Sequence, residues 1–206
     1  MGKLIRCLGA AALIALLANL QTESALAVPF NVACGGQADI DTNPATVVGC
    51  TVGSLGTITD LTVSLEIDDP AGFPYVSDLE IILTNVSAAI SVVLYTGSQG
   101  AAPEAYMDAT FDDTAGAPAP TSGNVIGTFQ PVGSLSAFDG IQLAGDWTLS
   151  LQDLSSWPDE GLDLINWGLV GDHVPEPSTE LLLAIGLIGI AAAGRPRNRR
   201  GRSPNR

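Results

Sequence analysis

Between Val28 and Glu180 the chain has no lysine and no arginine. Lys3 and Arg6 stand near the start, and Arg195, Arg197, Arg199, Arg200, Arg202 and Arg206 near the end, which accounts for all eight basic residues. The stretch between them holds 21 of the 22 acidic residues, a formal charge of about −21 when every carboxylate is ionised. Nucleic acid and anionic lipid are poor partners for this middle stretch, because both need cationic side chains to replace their counterions. Uncompensated charge also opposes compaction, so the carboxylates must either spread over the surface or converge on a bound cation. Histidine is almost absent as well, His173 being the only one. A serine, histidine and aspartate triad needs a base beside its nucleophile, and His173 reads as part of a flexible linker that cannot hold such geometry. Lysine cannot take its place. Paired carboxylates could hydrolyse glycosides, but acids this abundant single out no pair. The sequence therefore predicts that the chain is not an enzyme.

The two ends carry what the middle lacks. Lys3 and Arg6 precede an apolar stretch from Cys7 to Leu20, and Ala25-Leu26-Ala27 offers a small-x-small cleavage site. This predicts a signal peptide over residues 1–27 and an exported chain that begins at Val28. Asn19, Gln21, Thr22, Glu23 and Ser24 stop the apolar run before it is long enough to span a bilayer. Cys7 leaves with that peptide, and an oxidising compartment then favours a Cys34–Cys50 disulfide. Two thiolates without a nearby histidine make an incomplete zinc site, and catalytic thiol chemistry lacks its base or cation.

At the other end, Val174, Pro175, Glu176, Pro177 and Ser178 are followed by an apolar run of 14 residues over 181–194 and an arginine-rich tail over 195–206. As a helix the run covers about 21 Å, short of the roughly 30 Å hydrocarbon core of a bilayer. The arginines should stay on the cytoplasmic side and leave the preceding domain facing outward. This tripartite end resembles the PEP-CTERM sorting signal of Gram-negative bacteria. The resemblance implies recognition by a membrane enzyme, an exosortase, at least transient inner-membrane anchoring through the C-terminal helix, and removal of the tail. It also implies delivery to the cell surface or to an extracellular polysaccharide matrix. The alternative is an ordinary single-span anchor on a rigid, proline-containing stalk.

About 145 residues remain between the ends, which suits one domain, 28–173. No long amphipathic helix and no internal repeat is visible. Leu61, Val63, Leu65 and Ile67 alternate with Thr62, Ser64 and Glu66, the period of a strand with one buried face. Leu79, Ile81 and Leu83 repeat the pattern, and further strands are predicted over Ile90–Tyr95, Val125–Phe129, Trp147–Leu151 and Ile165–Val170. Gly97 to Gly123 reads as a long crossing loop. The class is all-β, a sandwich or jelly roll.

A second resemblance covers nearly the whole exported domain, from about Thr46 to Gly171. Its motifs run from Ile58-Thr59-Asp60-Leu61-Thr62-Val63-Ser64-Leu65-Glu66-Ile67, through Ser77-Asp78-Leu79-Glu80-Ile81-Ile82-Leu83, to Thr110-Phe111-Asp112-Asp113-Thr114-Ala115. Leu135 to Gly140, Gly145 to Asp153 and Gly161 to Leu169 follow in order. Together they resemble the P-domain, or P/Homo B domain, that follows the catalytic domain of kexin-like and furin-like subtilisin proteases. The resemblance implies a jelly-roll β-sandwich similar to galactose-binding domains. Asp68 stands where the family usually has histidine, and Asn85-Val86-Ser87-Ala88-Ala89 replaces its Pro-x-Gly-Thr turn. Between Gly161 and Trp167 the spacing is one residue wider than the resemblance leads one to expect, which suggests a β-bulge. There is no room for a subtilisin domain, so the P-domain stands alone.

Calcium is the sharpest use for the acids, since a hard cation takes several oxygens at once. Asp68, Asp69, Asp78, Asp112 and Asp113 are the candidates, and some bacterial P-domains bind calcium through acidic loop residues. The competing reading has Asp112-Asp113 starting a turn and Asp78 capping a strand. Asp153, Asp159, Glu160 and Asp163 form a weaker second set. Trp147 and Trp167 alternate with polar residues and should be core. Trp157, beside Pro158, could stack on a sugar ring, which leaves a carbohydrate-binding, tail-retaining lectin as the second functional class and a carboxylate-dependent hydrolase as the third. A polysaccharide or a surface protein is the expected partner outside the membrane.

Overall fold

The computed structural model describes residues 26–36, 38–40, 44–53, 56–68, 75–98, 105–155, 162–176 and 186. Its strands are β1 (Val28–Gly35), β2 (Ala38–Asp39), β3 (Thr46–Val52), β4 (Thr57–Asp68), β5 (Leu79–Asn85), β6 (Ile90–Thr96), β7 (Met107–Phe111), β8 (Val125–Phe129), β9 (Gly145–Asp153) and β10 (Asp163–Val174). All lie within one compact unit, Met1–Pro175, and the remainder of the chain forms a second. Two 3-10 turns, Val76–Asp78 and Leu135–Phe138, are the other regular pieces of this unit among the described residues.

The strands form two sheets, ordered β1-β10-β4-β7-β8, with β2 also on β10, and β3-β9-β5-β6. Pairing is antiparallel except between β7 and β8. The alternation seen in the sequence is the reason for this arrangement. Ile58, Leu61, Val63, Leu65 and Ile67 of β4 are buried, as are Leu79, Ile81 and Leu83 of β5 and Trp147, Leu149 and Leu151 of β9, and all belong to one core cluster. The two sheets thus share a single apolar interior, as in a β-sandwich. Full burial of each such leucine or isoleucine is worth about 1.5–3 kcal/mol against leaving it in water. Trp147 and Trp167 are core residues as expected, and the Trp147 indole N–H donates to the Leu143 carbonyl at 2.9 Å.

Three irregularities shape the larger sheet. Leu164 pairs with Ile67 while Asn166 pairs with Glu66, so Ile165 is an extra residue on β10, the bulge that the wide spacing suggested. Thr59 is skipped in the same way on β4, between the Asp60–Asp172 and Ile58–His173 pairs. On β1, Ala33 pairs with Gly168 and Gly35 with Trp167, which leaves Cys34 as the bulged residue. A bulge re-aims a side chain, and here Cys34 is disulfide-bonded to Cys50 of β3, with 5.0 Å between the Cα atoms. The bond ties the edge of one sheet to the edge of the other.

Gly97 to Gly123, whose composition predicts a long crossing loop, is not one long loop. Strand β7 runs through it and pairs with both β4 and β8. The hairpin Asn85 to Ile90 turns through Val86–Ala89, with the Ala88 amide donating to Asn85 Oδ1 at 2.8 Å. Residues 1–25 of the expected signal peptide, and all but Gly186 of the expected sorting helix, lie outside the described residues. No helix among the described residues is long and apolar enough to cross a membrane.

Candidate functional site

The sorting motif starts inside the fold. Val174 is the last residue of β10 and pairs with Thr57 of β4, while His173 pairs with Val28 of β1 on the other side. Proline has no N–H to continue the ladder, so the strand ends where Pro175 begins. Pro175 and Glu176 are exposed, and Pro177 and Ser178 lie outside the described residues. Gly56, at φ +113°, backs onto this exit: a Cβ there would stand 2.2 Å from the Val174 carbonyl oxygen and 2.9 Å from Pro175 Cα. Only glycine fits such a close approach at that backbone angle.

His173 is therefore not a linker residue, contrary to the sequence reading. It is a buried strand residue whose ring meets Phe30 edge-on, with 5.9 Å between centroids and 65° between planes. Its Nδ1 has no hydrogen-bond partner among the described residues. No lysine or arginine lies anywhere in this stretch of the chain.

The structure separates the acids proposed for calcium. Asp68 ends β4 and faces Asp163 of β10, which also faces Asp39 of β2. Asp69 is outside the described residues, as are Asp159, Glu160 and Trp157. Asp112 follows β7 and behaves as a turn former: its Oδ1 accepts from the Thr114 amide at 2.7 Å and hydroxyl at 2.8 Å. Asp113 holds the start of the Leu135–Phe138 turn, accepting from Ser134 Oγ at 2.6 Å, the Leu135 amide at 2.9 Å and the Ser136 amide at 2.8 Å. Burial works against the Asp113 charge, but these hydrogen bonds together hold its carboxyl below the usual range.

Asp60 stands at this end of the sheet with its side chain largely exposed, so only partial burial acts on it. Burial raises its carboxyl, and the charges of Asp112, Asp172 and Asp113 raise it further, against a hydrogen bond from the Leu61 backbone. Asp172 is its direct cross-strand neighbour. Asp139 is raised too, by burial and then by Asp60 and Asp113. No sequence signal pointed here, because Asp60 and Asp172 are 112 positions apart and only the register of β4 on β10 brings them together.

A second meeting of acids lies on the smaller sheet. Asp78, in the 3-10 turn before β5, and Asp153, at the end of β9, are both buried. Burial raises the Asp153 carboxyl, the Ser155 amide (2.7 Å) and hydroxyl (3.1 Å) oppose this, and Asp78 adds to it. Nearby Tyr95 is pushed up to about 12 by burial and by Asp78, and its hydroxyl donates to the Pro120 carbonyl at 3.3 Å. Asp163, grouped with Asp153 in the sequence reading, sits on the other sheet. Among the described residues no three histidine, cysteine or carboxylate side chains are arranged to hold a metal ion; Asp69 is not among them.

No curated protein matches the chain. Solved structures that are similar in part include two of a bacterial serine protease. One is the Aeromonas sobria serine protease in complex with its chaperone, 14% identical, covering 77% of this chain and 29% of that one at a TM-score of 0.45. The other is the serine protease of Aeromonas sobria, 14% identical, covering 76% and 29% at a TM-score of 0.43. The chain thus spans 29% of the length of these proteases. The PEP-CTERM protein-sorting motif matches residues 173–200. That motif marks the chain for export and for processing by an exosortase membrane enzyme.

Proposed function

We propose that the exported domain is a non-catalytic P-domain-like jelly roll that an exosortase trims and delivers to the cell surface or the extracellular polysaccharide matrix. There it serves a structural or binding role. The observation that carries this reading is the position of the sorting motif, which leaves directly from the end of the last strand. The P-domain part rests on the ordered motifs of the sequence and on the strands that those motifs became. The absence of catalysis rests on His173, the sole histidine, being packed against Phe30 with no lysine or arginine in the domain to act instead. Replacing Pro175, Glu176 and Pro177 together by alanine tests the address. The reading expects the altered protein to accumulate in the membrane fraction and to disappear from the surface or matrix, and unchanged delivery would overturn it.

The second reading, a membrane-tethered carbohydrate-binding lectin, keeps the tail and so differs in where the chain ends. Its partner would be a polysaccharide, and silence on a polysaccharide array would favour a structural or protein-binding role. For calcium the proposed residues are Asp68, Asp69, Asp78, Asp112 and Asp113, and Asp153 adds a second buried carboxylate beside Asp78.

A further inference from the structure

The motif is divided by the fold. Val174 is held by β4 at Thr57, and the residue before it is held on both sides, by Val28 of β1 and Ile58 of β4. Pro175 lies against Gly56, whose missing side chain makes the space that the Val174 carbonyl and Pro175 Cα occupy. The Gly56 carbonyl in turn accepts from the Leu143 amide at 2.9 Å, which fixes this backing in place. Pro175 is the first motif residue that no strand pairing reaches, so it is held only through the paired Val174 before it and its close approach to Gly56, and Glu176 follows it. A peptide-cleaving enzyme binds its substrate as an extended strand with residues on both sides of the cut, and a residue already committed to a sheet is not free to add to another.

We infer that the sandwich guards its own sorting motif: in the folded protein Val174 and Pro175 are withheld, and the processing enzyme takes its substrate from Glu176 outward. This inference rests on the proposed tail removal for its biological meaning, but not for its physical test. It makes Gly56 a positioning residue for the motif and predicts that no processed chain ends at or before Val174. It also makes cutting at Pro175 dependent on opening the end of β10, so that it reports local unfolding at that corner.

The test uses a proline-directed endoprotease as probe on the exported chain, Val28 to Arg206, kept native in mild detergent. Two bonds in one digest are compared by mass, Pro175–Glu176 and Pro177–Ser178, with a synthetic peptide of residues 170–180 as the unfolded reference. Relative to that peptide, the native chain should cut at Pro175 at least about tenfold more slowly than at Pro177, since cutting there waits for the strand end to open. Inserting Gly-Ser-Gly-Ser between Val174 and Pro175 adds about 13 Å of reach without touching a paired residue, and should restore the peptide's ratio. Gly56→Ala should move the ratio the same way by crowding Val174 and Pro175. A native ratio equal to the peptide's, or one that the insertion leaves unchanged, overturns the inference. So does a mature chain from cells that ends at Val174 or earlier. A chain from cells that ends at Arg206 would instead remove the proposed processing, and the digest would still decide whether the fold guards the motif.

Discussion

Replacing both Cys34 and Cys50 by alanine in the exported chain removes the one covalent tie between the two sheets among the described residues. The two cysteines are 16 positions apart. In the chain-entropy model a loop of that size restrains the unfolded ensemble by about 3 kcal/mol at 25 °C. Little native strain should offset this, because the bulge at Cys34 already turns that residue out of the β1–β10 register. For a domain of this size about 3 kcal/mol corresponds to a fall of roughly 6–12 °C in midpoint. Urea unfolding followed by tryptophan fluorescence suits the measurement, since Trp147 and Trp167 are both buried and should report together. The variant should also show a larger urea slope, as its denatured state is released to expand. Reduction of the unaltered chain should reproduce the same loss. A loss below about 1 kcal/mol, or a loss with no change in slope, would refute the loop-entropy account and place the stabilisation elsewhere.

Three further outcomes follow from the acids. Asp60→Asn should raise stability by about 0.5 kcal/mol at neutral pH by removing the like charge opposite Asp172. The raised Asp60 carboxyl means that its charge costs stability above its folded-state range, and that this cost is relieved as pH falls toward the ordinary carboxylate range. The gain should therefore vanish in urea melts near pH 3, and no gain at pH 7 would refute the cause. Asp113→Ala should cost about 1–2 kcal/mol at neutral pH through loss of its contacts with Ser134, Leu135 and Ser136. Because the Asp113 carboxyl is lowered, this contribution is present above the ordinary carboxylate range and fades as pH drops through its folded-state value; a pH-independent difference would contradict the assignment. Calcium at a hundredfold excess over its dissociation constant should add about 2.7 kcal/mol, and Asp78→Asn should abolish the gain. Thermal midpoints unchanged between chelator and millimolar calcium would end the calcium reading.

What could be read from the sequence was what repeats at short range. The period of two over Leu61 to Ile67 and Leu79 to Leu83 gave β4 and β5, and the extra residue before Trp167 gave the Ile165 bulge. Strands β1, β3 and β7 were not assigned from periodicity. Phe30 is the only fully buried residue of β1, β3 buries only Val52 fully, and β7 is five residues long with the small Ala109 between Met107 and Phe111, so their pattern is weak until a neighbouring strand supplies the pairing. His173 was misplaced because Gly171 and the Pro175-Glu176-Pro177 run look like linker composition. The β10 ladder passes through the glycine and stops only at the proline. The Asp60 group depends on strand register, and the meeting of Asp78 with Asp153 on the pairing of β5 with β9. Neither arrangement has a local sequence signature.

The most direct measurement is the intact mass of the protein recovered from the cell surface or matrix. A module trimmed at its sorting motif should begin at Val28 and end between Pro175 and Ser178, with the Cys34–Cys50 disulfide making it two hydrogen atoms lighter than the reduced chain. A mass that runs to Arg206 would show a tail that is kept, and would contradict it.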